Sequence, residues 1–329
     1  MTIYDIAKLA GVSASTVSRV INEKPGIKES TRQKVKQLLQ EYNYTPDENA
    51  RGLVNKNTRL IGILIVDIRS AHHTDLAFVI ESYLRERGYC AIIINAGPSH
   101  EQMAEGLRLL EQRRVDGAIL VGSMFQNEKI KQGIQEHLPQ VPVVIANGYL
   151  NLENVYGVLV DEGEGVKHMM DLLTGKGKDR LAYIGTFDSP SSMAKIKGFR
   201  EKMLEYGKPS DEILILEAEA SRQSGYDVTR TLLLEHPEVN GIIYSEDVIA
   251  AGAIRAYWDM GYRIPEEKSI AGIDNTIYGE LTYPKLTSLD NKMKEMAYEA
   301  ARILVDAIEG TANTKRLMLF SDIVEREST

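Results

Sequence analysis

Apolar positions follow two rhythms along this chain of 329 residues. Over the first 45 residues the spacing is helical. From residue 60 onward, short apolar runs alternate with amphipathic stretches. At the start, Thr2 is suited to N-cap a helix, with Asp5 three residues on in a capping-box arrangement. Ile3, Ile6, Ala7 and Ala10 then recur at helical spacing, and Gly11 offers a left-handed stop. Ser13 can cap a second helix, from Ala14 to about Asn22. Val17, Val20 and Ile21 face inward in it, and Ala14, Ser15, Ser18, Arg19 and Asn22 are left outside. Val12 can fill the core of the turn. Two short helices joined by a Gly-containing turn have the layout of a helix-turn-helix. A third helix, about 29–42, carries the stripe Val35, Leu38, Leu39 and Tyr42, and Tyr44-Thr45-Pro46 ends it. Residues 47–59 hold one Leu and one Val, too little apolar surface to fold alone, and suit a linker that becomes helical on binding.

Beyond the linker, strands are expected at 60–66, 90–95, 117–121, 142–146, 156–160, 181–186, 213–216, 241–244 and 269–273. Helices fall between most of them, for example at 74–87 and 99–113. Strand–helix alternation of this kind implies parallel sheets.

Composition narrows the class. The longest apolar runs, such as residues 60–66, are too short to span a membrane, which takes about 20 residues. No basic-then-apolar leader is visible, and Cys90 is the only cysteine, which fits a reducing cytoplasm. The formal charge of −8 argues against nucleic acid, but its distribution reverses that at one end. Residues 1–59 hold 10 Lys/Arg against 6 Asp/Glu, a balance of +4, and the rest holds 29 against 41, a balance of −12. A small basic module on an acidic body is a plausible DNA-binding footprint. The outer face of the second helix is small and polar, with one arginine. It suits close approach to base edges, with Arg19 able to bond guanine bidentately and Thr16 and Ser18 placed for phosphates. A plain helical hairpin would explain the periodicity alone equally well.

The order of TIYDIAKLAGVSASTVSRVIN, STRQKVKQLLQEYNYTP and NARGL resembles the lactose-repressor/galactose-repressor family. The likeness runs on through IGILIVDI, RERGY, RRVDGAIL, PVVIAN, DEGEG, KGFREKM, PEEKSIAGIDNT and PKLTSL to the closing VEREST. It implies a small all-α helix-turn-helix headpiece (1–46), a hinge (47–59) and an α/β sensor domain (60–329). The sensor domain would be two-lobed and similar to type I periplasmic binding proteins. Its first lobe would comprise about 60–161 and 290–320, and its second 162–289 and 321–329. The helix at about 292–309 would return to the first lobe. The resemblance makes Ala14, Ser15 and Arg19 the base readers, with Thr16, Ser18 and Asn22 on the DNA backbone. It also makes Leu53 a wedge in the minor groove, an apolar group stabilised only when it unstacks a base step. A contact with the body is the plain alternative for Leu53.

Ligands of open α/β sheets sit beyond the carboxyl ends of the strands. The polar residues there are Asp67, Arg69, Asn147, Asp161, Asp188, Glu246, Asp247, Asp274 and Asn275. Such a set suits a polyhydroxylated, sugar-like effector, although Asp or Asn after a strand is often only a helix cap. Asp274 matches the family position that bonds sugar hydroxyls. In SEDVIAAGA, similar to the family's NDxxAxGA, Asp247 is expected to cap the next helix and Glu246 to face the ligand. Two departures stand out. Where the family often has an aromatic pair, this chain has Ser70-Ala71-His72-His73-Thr74. Where many members carry Arg before GF, it has Lys195. Lys195 with Arg69, His72 and His73 could form a basic pocket for a sugar phosphate or uronate. Lys195 also resembles the catabolite-control members, which use a phosphorylated carrier protein as corepressor, but their tyrosine on the last helix is Lys294 here.

The rival class is an enzyme or a transport-linked receptor. GxGxxG after a strand, GxxxxGK[ST], GxSxG and HExxH are all missing from the sequence. No catalytic residue, cofactor or metal site is expected. The expectation is a cytoplasmic homodimeric regulator, in most such proteins a repressor, on a palindromic operator.

Overall fold

The computed structural model describes residues 1–21, 23–44 and 58–329, which form two units, Met1–Thr58 and Arg59–Thr329. The expectations for Asn22, Leu53 and the hinge lie outside the described residues.

The first unit is a three-helix cluster, α1 (Ile3–Ala10), α2 (Ala14–Ile21) and α3 (Glu29–Glu41). Thr2 and Asp5 form the capping box at α1, and Gly11 closes the helix at φ 71°. The Ser13 hydroxyl accepts the Thr16 amide at 3.2 Å, which starts α2. Ile6, Ala7, Ala10, Val17, Val20 and Val35 are buried together, with Val12, Ile21, Leu38 and Leu39 packed on them. One expected core residue differs. Tyr42 ends α3 and is exposed, whereas Asn43 takes a positive φ and turns Tyr44 back onto the cluster.

The second unit holds two six-stranded sheets. The first runs β11–β5–β4–β3–β1–β2. It is built from β1 (Leu60–Ile65), β2 (Cys90–Asn95), β3 (Gly117–Val121), β4 (Val143–Ala146), β5 (Val155–Val160) and β11 (Arg316–Leu319). Its pairings are parallel, with Leu60 opposite Cys90 and Ile61 opposite Gly117. The second runs β12–β10–β9–β8–β6–β7. Its strands are β6 (Leu181–Gly185), β7 (Leu214–Glu217), β8 (Gly241–Tyr244), β9 (Ser269–Ile273), β10 (Thr287–Asp290) and β12 (Asp322–Val324). Only the edge pair β10–β12 is antiparallel. Central strands such as GAILV and SIAGI are buried along their whole length, as parallel strands covered on both faces must be.

Sheet membership divides the unit into two lobes, and the chain passes between them after β5, after β10 and after β11. Helices α4 (Ala71–Glu86), α5 (His100–Arg113) and α6 (Glu128–His137) cover the first sheet. So does α12 (Met293–Ile308), which packs on α4 and β3–β5. Helices α7 (Glu162–Gly175), α8 (Pro190–Glu205), α9 (Arg222–Glu235) and α10 (Asp247–Asp259) cover the second, and the short α11 (Ile277–Leu281) follows β9. The closing VEREST locks β9 to β10, because the Ser328 hydroxyl donates to the Ile270 carbonyl at 2.6 Å and accepts the Thr287 amide at 2.9 Å.

One close approach positions the site. A Cβ at Gly198 in α8 would collide with the backbone of Gly163 in α7, so these helices meet main chain to main chain. That contact brings Lys195, one turn before Gly198, beside Glu162. Gly198→Ala is therefore expected to destabilise the body by about 1–3 kcal/mol through overpacking. Calorimetry of the full chain should show the body transition moved down with the headpiece transition unmoved. An unchanged body transition would mean that the two helices can part without cost.

Candidate functional site

Two places concentrate exposed or buried polar chemistry, one in each unit. In the headpiece, α2 is anchored by buried Val17 and Val20 and turns its other faces outward. Ser15 and Arg19, four residues apart and so on one face, are exposed, and Ala14, Thr16 and Ser18 are half-buried beside them. The Ser13 hydroxyl lies 2.7 Å from that of Ser15 and 2.9 Å from that of Thr16. The Arg19 guanidinium donates to the Pro25 carbonyl at 2.8 Å, and Arg32 donates to the Lys24 carbonyl at 3.0 Å. Both arginines thus tie down the loop between α2 and α3, and Arg19 keeps its remaining N–H groups at an exposed position.

In the body, polar residues that follow β5, β8, β9 and β10 meet Lys195 of α8 in one buried network. Lys195 is 5% exposed. Its ammonium donates to the Ser245 carbonyl at 3.2 Å and pairs with the Glu162 carboxylate at 3.4 Å. Burial alone pulls an ammonium pKa down, but the charges of Glu162 and Asp274 outweigh it, and Lys195 stays protonated. Asn291, at the second crossing between lobes, donates through one amide group to Glu162 and to Asp274, each at 3.1 Å. Asp274 follows β9 at φ 98° and is buried. From the other lobe, His72 in α4 brings Nδ1 to 3.8 Å from Asp274 Oδ1. A second inter-lobe contact is the Ser191 amide donating to the Ser123 hydroxyl at 3.1 Å. Asn291 Oδ1 and His72 Nδ1 are buried without a hydrogen-bond partner.

Two acidic neighbours at the start of α10 differ in role. Asp247 is buried and accepts the Thr276 amide at 2.6 Å, the Thr276 hydroxyl at 3.0 Å and the Ser288 hydroxyl at 2.6 Å. It is the first residue of α10 and holds the loop after β9, so its bonds are not those of the helix cap expected from the sequence. Glu246 occupies the N-cap position, yet its side chain makes no capping bond. Burial, helped by the Asp274 charge, pushes its carboxyl up to about 7, and burial does the same to Asp247.

The basic pocket expected around Lys195 is not assembled. The Arg69 side chain is 87% exposed and is held by Asp67, two residues away. That pairing lowers the Asp67 carboxyl to about 2. His73 is driven down to about 4 by burial and the neighbouring His72, so its ring is neutral at pH 7. Its Nδ1 lies 3.2 Å from the Asp67 carbonyl and must carry the ring proton there, since a carbonyl only accepts. Lys195 is balanced by Glu162. Asp161 caps α7 through the Glu164 amide at 3.1 Å, and Asn147 is half-buried at φ 69° after β4. Asp188 is exposed, and Asn275 accepts from Arg326 at 2.7 Å.

Sequence reasoning missed Glu162 and Asn291. Glu162 stands next to Asp161 in DEGEG, where Gly163 signals the close helix contact that buries it. Nothing local marks Asn291, whose partner Glu162 lies 129 residues away. Among the described residues no group of His, Cys, Asp and Glu could hold a metal ion, and no helix is long and apolar enough to cross a membrane.

Comparison with known proteins agrees with this division. Residues 2–47 match the model of bacterial regulatory proteins of the lacI family, and residues 170–329 match that of a periplasmic binding protein-like domain. The HTH-type transcriptional regulator DegA of Bacillus subtilis (strain 168) is 33% identical over 100% of this chain and 98% of that protein. A complex of the transcriptional regulator CelR with cellobiose superposes over the whole of both chains, with a TM-score of 0.72 at 28% identity. The Lac repressor dimer bound to operator and the anti-inducer ONPF shares the fold, with a TM-score of 0.89 at 23% identity over 100% and 99% of the two chains.

A pH effect follows from Glu246. The unfolded chain gives up this proton near the ordinary 4.5, whereas the fold keeps it to about 7. Stability from that proton is complete below 4.5 and is lost as pH rises to 7. Glu246→Gln, which keeps the neutral shape, is expected to gain melting temperature relative to the parent as pH rises from 5 to 8. A difference that stays constant across that range would contradict the burial of this carboxyl.

Proposed function

The chain belongs to the lacI family of bacterial regulatory proteins, and from that premise we propose that it is a repressor whose hold on a palindromic operator is set by a small polyhydroxylated effector in the body. The observation that carries this is the buried network of Lys195, Glu162, Asn291 and Asp274 beside contacts made from both lobes. His72 and Asp274 approach from opposite lobes, as do Ser123 and Ser191. A ligand seated there touches both lobes, and its affinity then depends on how far apart they stand. Any effect on DNA binding is bounded by that difference in affinity. Cellobiose in the CelR complex is a ligand of the same chemical class.

In this reading Ala14, Ser15 and Arg19 read bases, Thr16, Ser18 and Asn22 meet phosphates, and Leu53 enters the minor groove from a hinge at 47–59. Arg69, His73, Asn147 and Asp161 leave the list of direct effector ligands. Arg69 and Asp161 are engaged in local pairings, His73 is turned to a backbone carbonyl, and Asn147 has no link to the network among the described residues. His72, Lys195, Glu246 and Asp274 remain on it. The protein performs no catalysis and works in the cytoplasm as a dimer. Dimerisation is supported by exposed apolar side chains on the body, with Phe78 70% exposed on α4 and Leu281 and Tyr283 at 73% and 76% in and just after α11. Trp258 stacks on Tyr283 and is itself half exposed. A two-fold dimer presents two headpieces to two half-sites, which makes the operator palindromic.

Selection of binding sites from random duplex DNA should return a palindrome, with affinity that falls steeply as salt rises. In the same selection, Arg19→Ala is expected to relax one position of each half-site and to weaken binding by about 1–3 kcal/mol. An unchanged base preference would remove Arg19 from the readout. A chain that bound sugars but no DNA would be a receptor instead.

A further inference from the structure

The loop at 23–28 between α2 and α3 is short and tied to both helices. On the α2 side, the Lys24 amide donates to the Arg19 carbonyl at 2.9 Å, and the Glu23 amide to the Val20 carbonyl at 3.2 Å. On the α3 side, Arg32 donates to the Lys24 carbonyl at 3.0 Å, and Lys36 pairs with Glu23 at 3.5 Å. Pro25 stiffens the middle, because its ring fixes φ.

Arg19 meets this loop a second time through its side chain. Its Nη2 donates to the Pro25 carbonyl at 2.8 Å. The guanidinium also lies against Gly26, where φ is 89° and a Cβ would stand 3.2 Å from Nη2. A side chain there would push on the guanidinium, from a backbone that already disfavours any side chain. Arg19 is exposed, and a long exposed side chain ordinarily samples many rotamers. A bidentate contact with guanine needs the planar fork held in one orientation. Here the fork is already bonded through one N–H group, and the others remain for a base edge.

We infer that Pro25 and Gly26 are positioning residues for base reading. The Pro25 carbonyl aims the Arg19 guanidinium before DNA arrives, and Gly26 leaves the room in which it lies. This rests on the base-reading role given to Arg19 above. Fixing one long side chain beforehand removes an ordering cost on binding equivalent to about two- to tenfold in affinity. The gain is realised only where Arg19 finds its base. It therefore shows as discrimination at one operator position and not as general affinity.

The test is fluorescence anisotropy of the full chain on the selected operator and on operators carrying each other base, position by position. The position at which Arg19→Ala loses its preference marks the base that Arg19 reads. Gly26→Ala is expected to lower the preference at that position by about two- to tenfold and to leave the other positions as in the parent. Gly11→Ala is the control for backbone strain, since Gly11 has φ 71° and a Cβ there would meet nothing within 4 Å. It should keep the preference at the Arg19 position. Arg32→Met, which releases the Lys24 carbonyl and leaves Gly26 in place, should lower that preference as well. It decides by the same criterion if Gly26→Ala does not fold. An unchanged preference overturns the proposal and leaves Arg19 as a reader. So does a sharpened one, because the Pro25 bond would then compete with the base. An even loss at every position makes Gly26 a residue of headpiece stability and overturns the proposal too. If Arg19→Ala itself relaxes no position, the base-reading role fails together with the proposal.

Discussion

A buried ammonium must be paired, and much of the body is arranged to pair Lys195. An isolated charge taken out of water costs several kcal/mol even after relaxation, and losing one member of a buried pair typically costs 3–5 kcal/mol. The partner here is Glu162, the first residue of the helix that begins where the chain first leaves the first sheet. The two side chains meet because α7 and α8 touch at Gly163 and Gly198, and a Cβ at Gly198 would strike the Gly163 backbone. The network then extends through Asn291, at the second inter-lobe crossing, to Asp274. The salt bridge and the Asn291 amide together tie Lys195 and Asp274 to two of the segments by which the chain passes between the lobes.

The same arrangement explains why the surrounding acids differ. Asp247 is saturated by Thr276 and Ser288 and serves as a strut under the loop that presents Asp274. Glu246, its neighbour, is left without such bonds, and burial pushes its carboxyl up to about 7. The headpiece shows the complementary economy, with buried Val17 and Val20 on one face of α2 and exposed Ser15 and Arg19 on the other.

Much of the fold was legible because it rests on local periodicity. The nine strands expected in the body from residue 60 all appear within a residue or two, as does the helix named at 99–113, whereas the one named at 74–87 starts three residues earlier, at Ala71. The strands not expected are β10, β11 and β12. They are only three or four residues long, too short to stand out as apolar runs, and β10 owes its place to long-range partners such as Ser328 with Thr287. Tyr42 was expected in the core and Tyr44 was not, because the turn at Asn43 reverses which of them faces inward. In the cleft, Lys195, Glu246 and Asp274 were visible as polar residues following strands or preceding the GF pair. Their charge balance was not. The basic pocket read from Arg69, His73 and Lys195 fails on three contacts, to Asp67, to a backbone carbonyl and to Glu162, that spacing along the chain does not encode.

The central claim is that the separation of the two lobes sets the hold on DNA. It is tested most directly without any effector. Ser123 and Ser191 meet across the cleft, with amide and hydroxyl 3.1 Å apart. Paired Ser123→Cys and Ser191→Cys substitutions, in a Cys90→Ser background, allow a disulfide to fix the lobes as they stand here. Operator affinity would be measured by fluorescence anisotropy on the oxidised and reduced forms in the presence and absence of the tightest-binding sugar. The account predicts that the sugar changes affinity for the operator by about fivefold or more in the reduced form, the usual scale of such coupling, and not at all in the oxidised form. An equal response in both forms would contradict it.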